Sequence, residues 1–529
     1  MNSLIPGKKA PKDILIDTAK LVSEYFYLKK DLSPVKFGTS GHRGSAENRS
    51  FNEEHIFAIS QAICNYKKKI DTKEIIIGID THALSTPAKM SALRVFAANR
   101  IEVIHTDKFT PTPVVSFTIL EKNRSGKKCD GIVLTPSHNP PEDGGYKYNP
   151  PHGGPADTDV TSIIEKEANE ILKNQNYETV DYEDALKKAH IKQEDFIVPY
   201  VEALKEIVDM EGIRKGGLKL CADALGGSTM QVYRKIKEHY GLKMDLRHDY
   251  LDYRFSFMTL DHDGKIRMDC SSPFAMASLL EIKDRYDLAF ANDTDGDRHG
   301  IVTPVGGLMN PNHFLSVAIW YLFTNRQWPE NLKIGKTFVS SSMIDRVAKA
   351  LGVEVYETPV GFKWFANGLY EGWLGFAGEE SAGASFLRKD GTVWTTDKDG
   401  IIMALLAAEI KTKIKDPALI YQELEAQFGK SYYERIDVPA NEEIKKKIES
   451  IDPRKIGLKT LAGEPIKELF TEVNGMSVGG VKIVTENGWI ALRPSGTEDI
   501  YKIYAESFLS KEHLEGLQEE AKTIVRNLI

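Results

Sequence analysis

Short β-rich runs separated by helical patterns constrain this chain more than any other feature. The runs "EIIIGID" (74–80), "IEVIHT" (101–106), "GIVLTPS" (131–137), "LKLCAD" (218–223), "LAFAND" (288–293), "TFVSS" (337–341) and "VEVYET" (353–358) alternate with helix-length stretches. That order favours parallel α/β units. Several runs end directly in Gly, Ser or Asp clusters, and in α/β sheets the functional loops leave the carboxyl ends of the strands. Near residue 430 the pattern changes: "YYERIDVPA" and "VKIVTENGWIALRPSGTEDIYKIYAES" read as strands and hairpins, and "KEHLEGLQEEAKTIVRNL" as a closing amphipathic helix. This last part reads as a separate α+β domain.

A chain of 529 residues is too long for one core and divides into several domains of roughly 100–200 residues, with a cleft between them. Its 41% hydrophobic and 27% charged residues are ordinary for a globular protein. A net charge of -7 gives no support to a nucleic-acid binder, which wants a broad basic surface. Cys64, Cys129, Cys221 and Cys270 lie far apart with no CxxC pair, which suggests neither a zinc cluster nor a disulfide framework and fits a reducing cytoplasm. The amino terminus lacks an apolar signal core, and "FLSVAIWYLF" from Phe314 is too short to span a bilayer. The expected protein is soluble and unsecreted.

"NDTDGDRHG" (292–300) sets Asp293, Asp295 and Asp297 at alternate positions after an apolar run. On a regular strand the three carboxylates would repel, but a loop broken by Gly296 can turn them toward one hard cation. An EF-hand alignment fails, because Arg298 and Pro304 stand where glycine and an acid are required. Magnesium with room for a phosphate oxygen fits better, and the neighbouring Arg298 suits a phosphate; the competing reading is a solvated acidic turn. "RPSGTED" (493–499) can clasp a phosphate through Arg493, hydroxyls and backbone N–H groups, or can be an ordinary hairpin turn. "AGEESAG" (377–383) offers Glu379, Glu380 and Ser381 to sugar hydroxyls, or is an exposed loop. "IGKT" (334–337) is no P-loop, since Glu330 occupies the position of the first glycine.

"TPSHNPPEDGGYKYN" (135–149) holds Ser137 beside His138 among prolines and glycines. It is not a GxSxG elbow, and adjacent side chains rarely form a nucleophile and base pair. Local residues therefore leave Ser137 open between nucleophile and turn residue. Together with the acidic, sugar-type and Arg loops, however, it suggests phosphoryl transfer involving a sugar phosphate.

The same loops, in this order, resemble the α-D-phosphohexomutase superfamily. The resemblance covers nearly the whole chain, through "FGTSGHRGSA" (37–46), "TPSHNPPEDGGYKYNPPHGGPAD" (135–157), "NDTDGDRHG", "TPVGFKWF" (358–365), "GEESAGASFL" (378–387), "TTDKDG" (395–400) and "RPSGTED". It implies an α/β protein of three related mixed α/β domains plus a mobile C-terminal α+β domain around a central cleft. The expected boundaries are 1–200 with the phosphoserine loop, 201–310 with the metal loop, 311–428 with the sugar loop and 429–529 with the phosphate loop.

Carried over by motif, the resemblance makes Ser137 the phosphoryl carrier, and Asp293, Asp295 and Asp297 the ligands of Mg2+ together with a Ser137 phosphate oxygen. Arg43, His138, Lys147 and Lys398 would surround the transferred phosphate, with Lys398, Lys147 or His138 taking the hydroxyl proton. Arg298, Gly361, Lys363, Glu379 and Ser381 would line the sugar, and Arg493, Ser495, Gly496 and Thr497 would grip the phosphate that does not react. The implied reaction interconverts glucose 1-phosphate and glucose 6-phosphate, with glucose 1,6-bisphosphate as activator and intermediate. Expected partners are small hexose phosphates, with neither nucleic acid nor membrane, in a cytoplasmic monomer or dimer.

Two positions depart from the pattern: Thr294 stands where many members have glycine, and Pro359-Val360-Gly361 where some carry a hydroxyl residue before the glycine. Neither removes a ligand, but both leave substrate preference open, so mannose or glucosamine phosphate are alternatives. A non-catalytic sugar-phosphate binder is the alternative of a different class, and the complete serine, metal and phosphate loops argue against it.

Overall fold

The computed structural model describes residues 4–38, 41–70, 72–496 and 499–528. Four main sheets follow one another along the chain, of seven, five, four and five strands. The first three contain the same four-strand unit. In the first sheet its order is Asp143–Asn149, Cys129–Leu134, Glu74–Ile79, Glu102–His105; in the second, Gly300–Thr303, Leu288–Ala291, Leu220–Asp223, Met244–Arg247; in the third, Ala384–Phe386, Leu374–Gly378, Lys333–Thr337, Val355–Thr358. Each time the first-named strand is antiparallel and the other three are parallel. The three units are thus related by topology, a recurrence that residue identity did not reveal.

The hairpin between the first- and second-named strands of the unit carries the serine loop in the first sheet, the aspartate loop in the second and the Glu379 loop in the third. One position of one scaffold, used three times, aims all three sets of residues.

Packing fixes these units against each other. A single apolar core runs through all three, joining Phe117 of the first to Phe290 of the second and to Phe314 and Phe376 of the third. At its centre the helix Gly400–Lys413, "GIIMALLAAEIKTK", is buried all round from Gly400 to Ile410, as its lack of a polar face predicts. The buried Trp394 packs at a tilt against Phe117 and Tyr200, with ring centroids 4.7 and 5.3 Å away.

Some local expectations are corrected. "TFVSS" is not a strand: the strand is Lys333–Thr337, which contains the P-loop decoy, and Phe338 and Val339 leave the sheet to pack against Val478, Trp489 and Tyr504 of the C-terminal unit. Half of "TPSHNPPEDGGYKYN" is strand Asp143–Asn149 rather than loop. Residues 7–10, expected with the first unit, pair with the second: Gly7 N–H donates to Leu260 O at 2.8 Å, and Leu260 N–H to Lys8 O at 2.8 Å.

The C-terminal unit has its own core under helix Lys511–Leu528. Its antiparallel sheet runs Tyr432–Pro439, Ile500–Ser507, Gly488–Pro494, Met476–Val484, Glu468–Val473. It docks on the third unit through Glu506, a fully buried carboxylate. This group accepts from Ser342 N–H (2.7 Å), Ser431 Oγ (2.6 Å), Trp489 Nε1 (2.7 Å) and Ser341 Oγ. Glu506→Ala leaves these buried donors without an acceptor and should cost about 3 kcal/mol. Urea unfolding should show it as an earlier transition of the C-terminal unit.

Candidate active site

Ser137 sits in the left-handed region (φ 59), a conformation that a non-glycine residue holds only when its surroundings impose it. Its N–H donates to Thr135 Oγ1 at 2.8 Å. Gly145 on the returning strand is required for close approach, since a Cβ there would lie 2.0 Å from Thr135 O. The loop is thereby pressed onto its own strand with the serine hydroxyl facing the second unit.

There Ser137 Oγ donates to Asp293 Oδ2 at 2.8 Å. Asp293, Asp295 and Asp297 are all buried, with one oxygen from each within 4.8 Å of the others. Asp295 Oδ2 accepts from Thr112 Oγ1 and from Lys147 Nζ, both at 2.6 Å. Asp297 Oδ2 accepts from Lys398 Nζ at 3.0 Å and Lys147 Nζ at 3.3 Å. Asp295 Oδ1 and Asp297 Oδ1 are buried without a hydrogen-bond partner. Buried carboxylate oxygens left open in this way fit a hard divalent cation. Thr294 has no left-handed backbone, so threonine in place of glycine leaves the loop intact.

Electrostatics follow from this crowding. Burial, then Asp297 and Asp295, push the Asp293 carboxyl well above its ordinary range. Burial acts the same way on Asp297, but Lys398, Lys147 and Arg298 overcome it and hold that group low. Burial works against the charged form of Lys147 and Lys398, yet the aspartates raise both, so each is an ammonium ion here. Burial and then Arg298 drive His138 well below the usual imidazole range.

Of the other expected residues, Arg43, Arg298 and Glu379 meet at the same place, whereas Arg493 and Ser495 pair within the C-terminal unit. Arg43 donates to Asn139 Oδ1 at 3.2 Å from strand Gly41–Ser45. Arg298 bridges to Gly383, and His299 N–H donates to Ala382 O at 3.1 Å, which stitches the aspartate loop to the Glu379 loop. Gly383 has to be a glycine, because a Cβ would lie 2.0 Å from the Lys398 side chain on its way to Asp297. Glu379 Oε1 accepts from Gly361 N–H at 2.9 Å, and Ser381 is half-buried on the same loop. Lys363 is not with them: its ammonium pairs with Asp157 at 3.1 Å and reaches Thr158, closing the seam between the first and third units. Arg493 ends strand Gly488–Pro494 opposite Lys502, Ser495 N–H donates to Ile500 O at 2.9 Å, and Gly496 is exposed. Thr497 lies outside the described residues.

Sequence reasoning missed several contributors. Asp80 and His82 stand behind the serine loop, and Asp80 ends the run "EIIIGID", a placement that could have drawn attention to it. Burial works against the Arg298 guanidinium, and the half-buried Asp269 leads the acidic groups that overcome it. No local motif marks Asp269 or Thr112.

The chain matches the phosphoglucomutase/phosphomannomutase α/β/α domain I at 34–175, domain II at 198–306 and domain III at 310–428, and the C-terminal domain at 409–524. A phosphoglucomutase of Komagataeibacter xylinus is 53% identical, covering 100% of this chain and 98% of that protein. A phosphoglucosamine mutase of Finegoldia magna is 25% identical over 92% of this chain and 98% of its own length. A putative phosphomannomutase from Thermus thermophilus has the same fold, with a TM-score of 0.75 and 26% identity over 94% of this chain and 100% of that one. Fold and site together define an intramolecular phosphotransferase of the isomerase class. More narrowly, the chain belongs to the phosphoglucomutase/phosphomannomutase family.

Two outcomes follow. Thr112→Val frees Asp295 Oδ2 from its hydroxyl donor and should lower affinity for a divalent cation roughly 10-fold in calorimetric titration. Burial pushes the Glu379 carboxyl up to about 7, with Lys398 opposing and Glu380 assisting. The folded state therefore holds this proton to higher pH than the unfolded state, so stability is greatest below the unfolded carboxyl pKa and declines until pH passes about 7. On the order of 2–3 kcal/mol is at stake, and thermal unfolding of Glu379→Gln should lack that decline.

Proposed function

We propose that this enzyme interconverts α-D-glucose 1-phosphate and glucose 6-phosphate through a phosphoserine at Ser137, with glucose 1,6-bisphosphate as the bound intermediate. The observation that carries the proposal is Ser137 Oγ, 2.8 Å from Asp293 Oδ2, beside a carboxylate cluster that the flanking lysines leave partly open. The 53% identity to a phosphoglucomutase favours glucose among hexoses.

Phosphoryl transfer needs positioning and charge neutralisation more than covalent help. Mg2+ held by Asp293, Asp295, Asp297 and an oxygen of the Ser137 phosphate would supply Lewis-acid neutralisation of the transferred group. Arg43, Lys147 and Lys398 flank that position and offset the charge that spreads over the phosphate oxygens. A sugar hydroxyl attacks phosphorus as the Ser137 Oγ–P bond breaks; its proton leaves to a base among His138, which is neutral here, and Lys398 or Lys147, which would first have to give up the proton they hold, and Ser137 Oγ regains one. Glu379 and Ser381 hold the sugar hydroxyls in either orientation. Arg298 lines the same side, and Gly361 fixes Glu379 through its N–H.

Arg493, Ser495, Gly496 and Thr497 would hold the idle phosphate, so the bisphosphate can turn end for end and return its other phosphate to Ser137. Docking of the C-terminal unit over the cleft would keep water from the phosphoserine. Four buried free thiols support a reducing cytoplasm. Among the described residues no helix is long and apolar enough to cross a membrane.

Intact-mass measurement before and after glucose 1,6-bisphosphate should find one phosphoryl group, absent from Ser137→Ala, which should also lose turnover. Activity retained by Ser137→Ala overturns the mechanism. Faster turnover of mannose or glucosamine phosphate than of glucose 1-phosphate overturns the substrate assignment.

A further inference from the structure

Behind the serine loop lies a buried ion pair for which the phosphoryl-transfer chemistry gives no role. Asp80 and His82 follow strand Glu74–Ile79, and neither is exposed at all. Asp80 Oδ1 accepts from His82 N–H at 2.9 Å and Ser85 Oγ at 2.6 Å. Asp80 Oδ2 accepts from Thr135 Oγ1 at 2.7 Å and lies 2.7 Å from His82 Nδ1. His82 Nε2 lies 3.0 Å from the backbone carbonyl of Asn139.

Both groups that face the imidazole, a carboxylate and a carbonyl, can only accept. Each ring nitrogen must therefore carry a proton, because either neutral tautomer would point a lone pair at an acceptor. We infer that Asp80 and the His82 imidazolium form a charged clamp that grips the serine loop on both sides of Ser137 and so positions the phosphoryl carrier.

The two arms are distinct. On the amino side, Asp80 orients the Thr135 hydroxyl so that its lone pair receives Ser137 N–H at 2.8 Å. On the carboxyl side, His82 pins the backbone of Asn139, whose side chain meets Arg43 at 3.2 Å and Asp143 at 3.0 Å. Ser137 between them holds φ 59, and a strained conformer persists only where its neighbours over-determine it. One ion pair thus sets both the serine and an arginine expected beside its phosphate.

The groups around His82 favour its charge. Asp80 faces it from its own loop and Asp143 acts on it from the start of strand Asp143–Asn149. From the second unit the Phe255 ring lies 5.3 Å away. Burial disfavours the charged ring, but Asp80 outweighs it and raises the group above the ordinary imidazole range. The clamp is then intact at neutral pH and is released as pH rises through that raised value.

The inference rests on the mutase reading for its kinetic consequence, but not for its protonation state. Nitrogen NMR of histidine-labelled wild-type protein should find both ring nitrogens of His82 protonated slightly above neutral pH; a neutral tautomer there overturns the clamp whether or not the protein turns over glucose 1-phosphate. In turnover assays, Thr135→Val and His82→Gln should each lower kcat about 10- to 100-fold with little change in KM, and Thr135→Ser should recover most of the loss. Wild-type kcat should fall at alkaline pH, and His82→Gln should lack that fall. Wild-type kcat in either variant, or an unchanged alkaline limb in His82→Gln, rejects a positioning role. Absence of any turnover in wild type would count against the mutase reading alone.

Discussion

Three aspartates on one short loop, all buried and all within reach of one another, are the constraint around which the molecule is arranged. Such a loop cannot exist in isolation, because burial and mutual repulsion both oppose its charge. The chain answers by bringing cations from elsewhere: Lys147 from the first unit, and Lys398 from the segment that leads into the central helix. The neutralisation is deliberately incomplete in a chemical sense, as Asp295 and Asp297 each keep one oxygen without a partner. A site so poised is ready for a cation and for a phosphate together, and the apolar core shared by the three units keeps those groups in register.

The acidic cluster that could hold a metal was legible in the sequence because its three carboxylates lie within one short loop. Asp293, Asp295 and Asp297 announce themselves by spacing alone, and Ser137 by the company of the other loops. The supports were not legible, because they join residues far apart in the chain: Thr112 meets Asp295 and Thr135 meets Asp80 only after the sheets have formed. Lys363 shows the opposite error. Its nearness in sequence to Gly361 suggested a sugar contact, but the start of helix Lys363–Glu371 directs its ammonium to Asp157 instead.

The α/β alternation was equally plain, whereas the correct edges of strands depended on partners. "TFVSS" has the composition of a strand, yet Phe338 and Val339 are buried by another unit rather than by a sheet neighbour. Composition reports that a residue will be covered; it does not report by what.

The three hairpins of the candidate site hang from equivalent positions of three sheets that share one apolar core, while Arg493 belongs to a unit with its own core. The span between Ser137 and Arg493 is accordingly not a property of either loop: it is set by how the C-terminal unit seats on the third unit through Glu506, so a change at that seam would reset it without altering either loop.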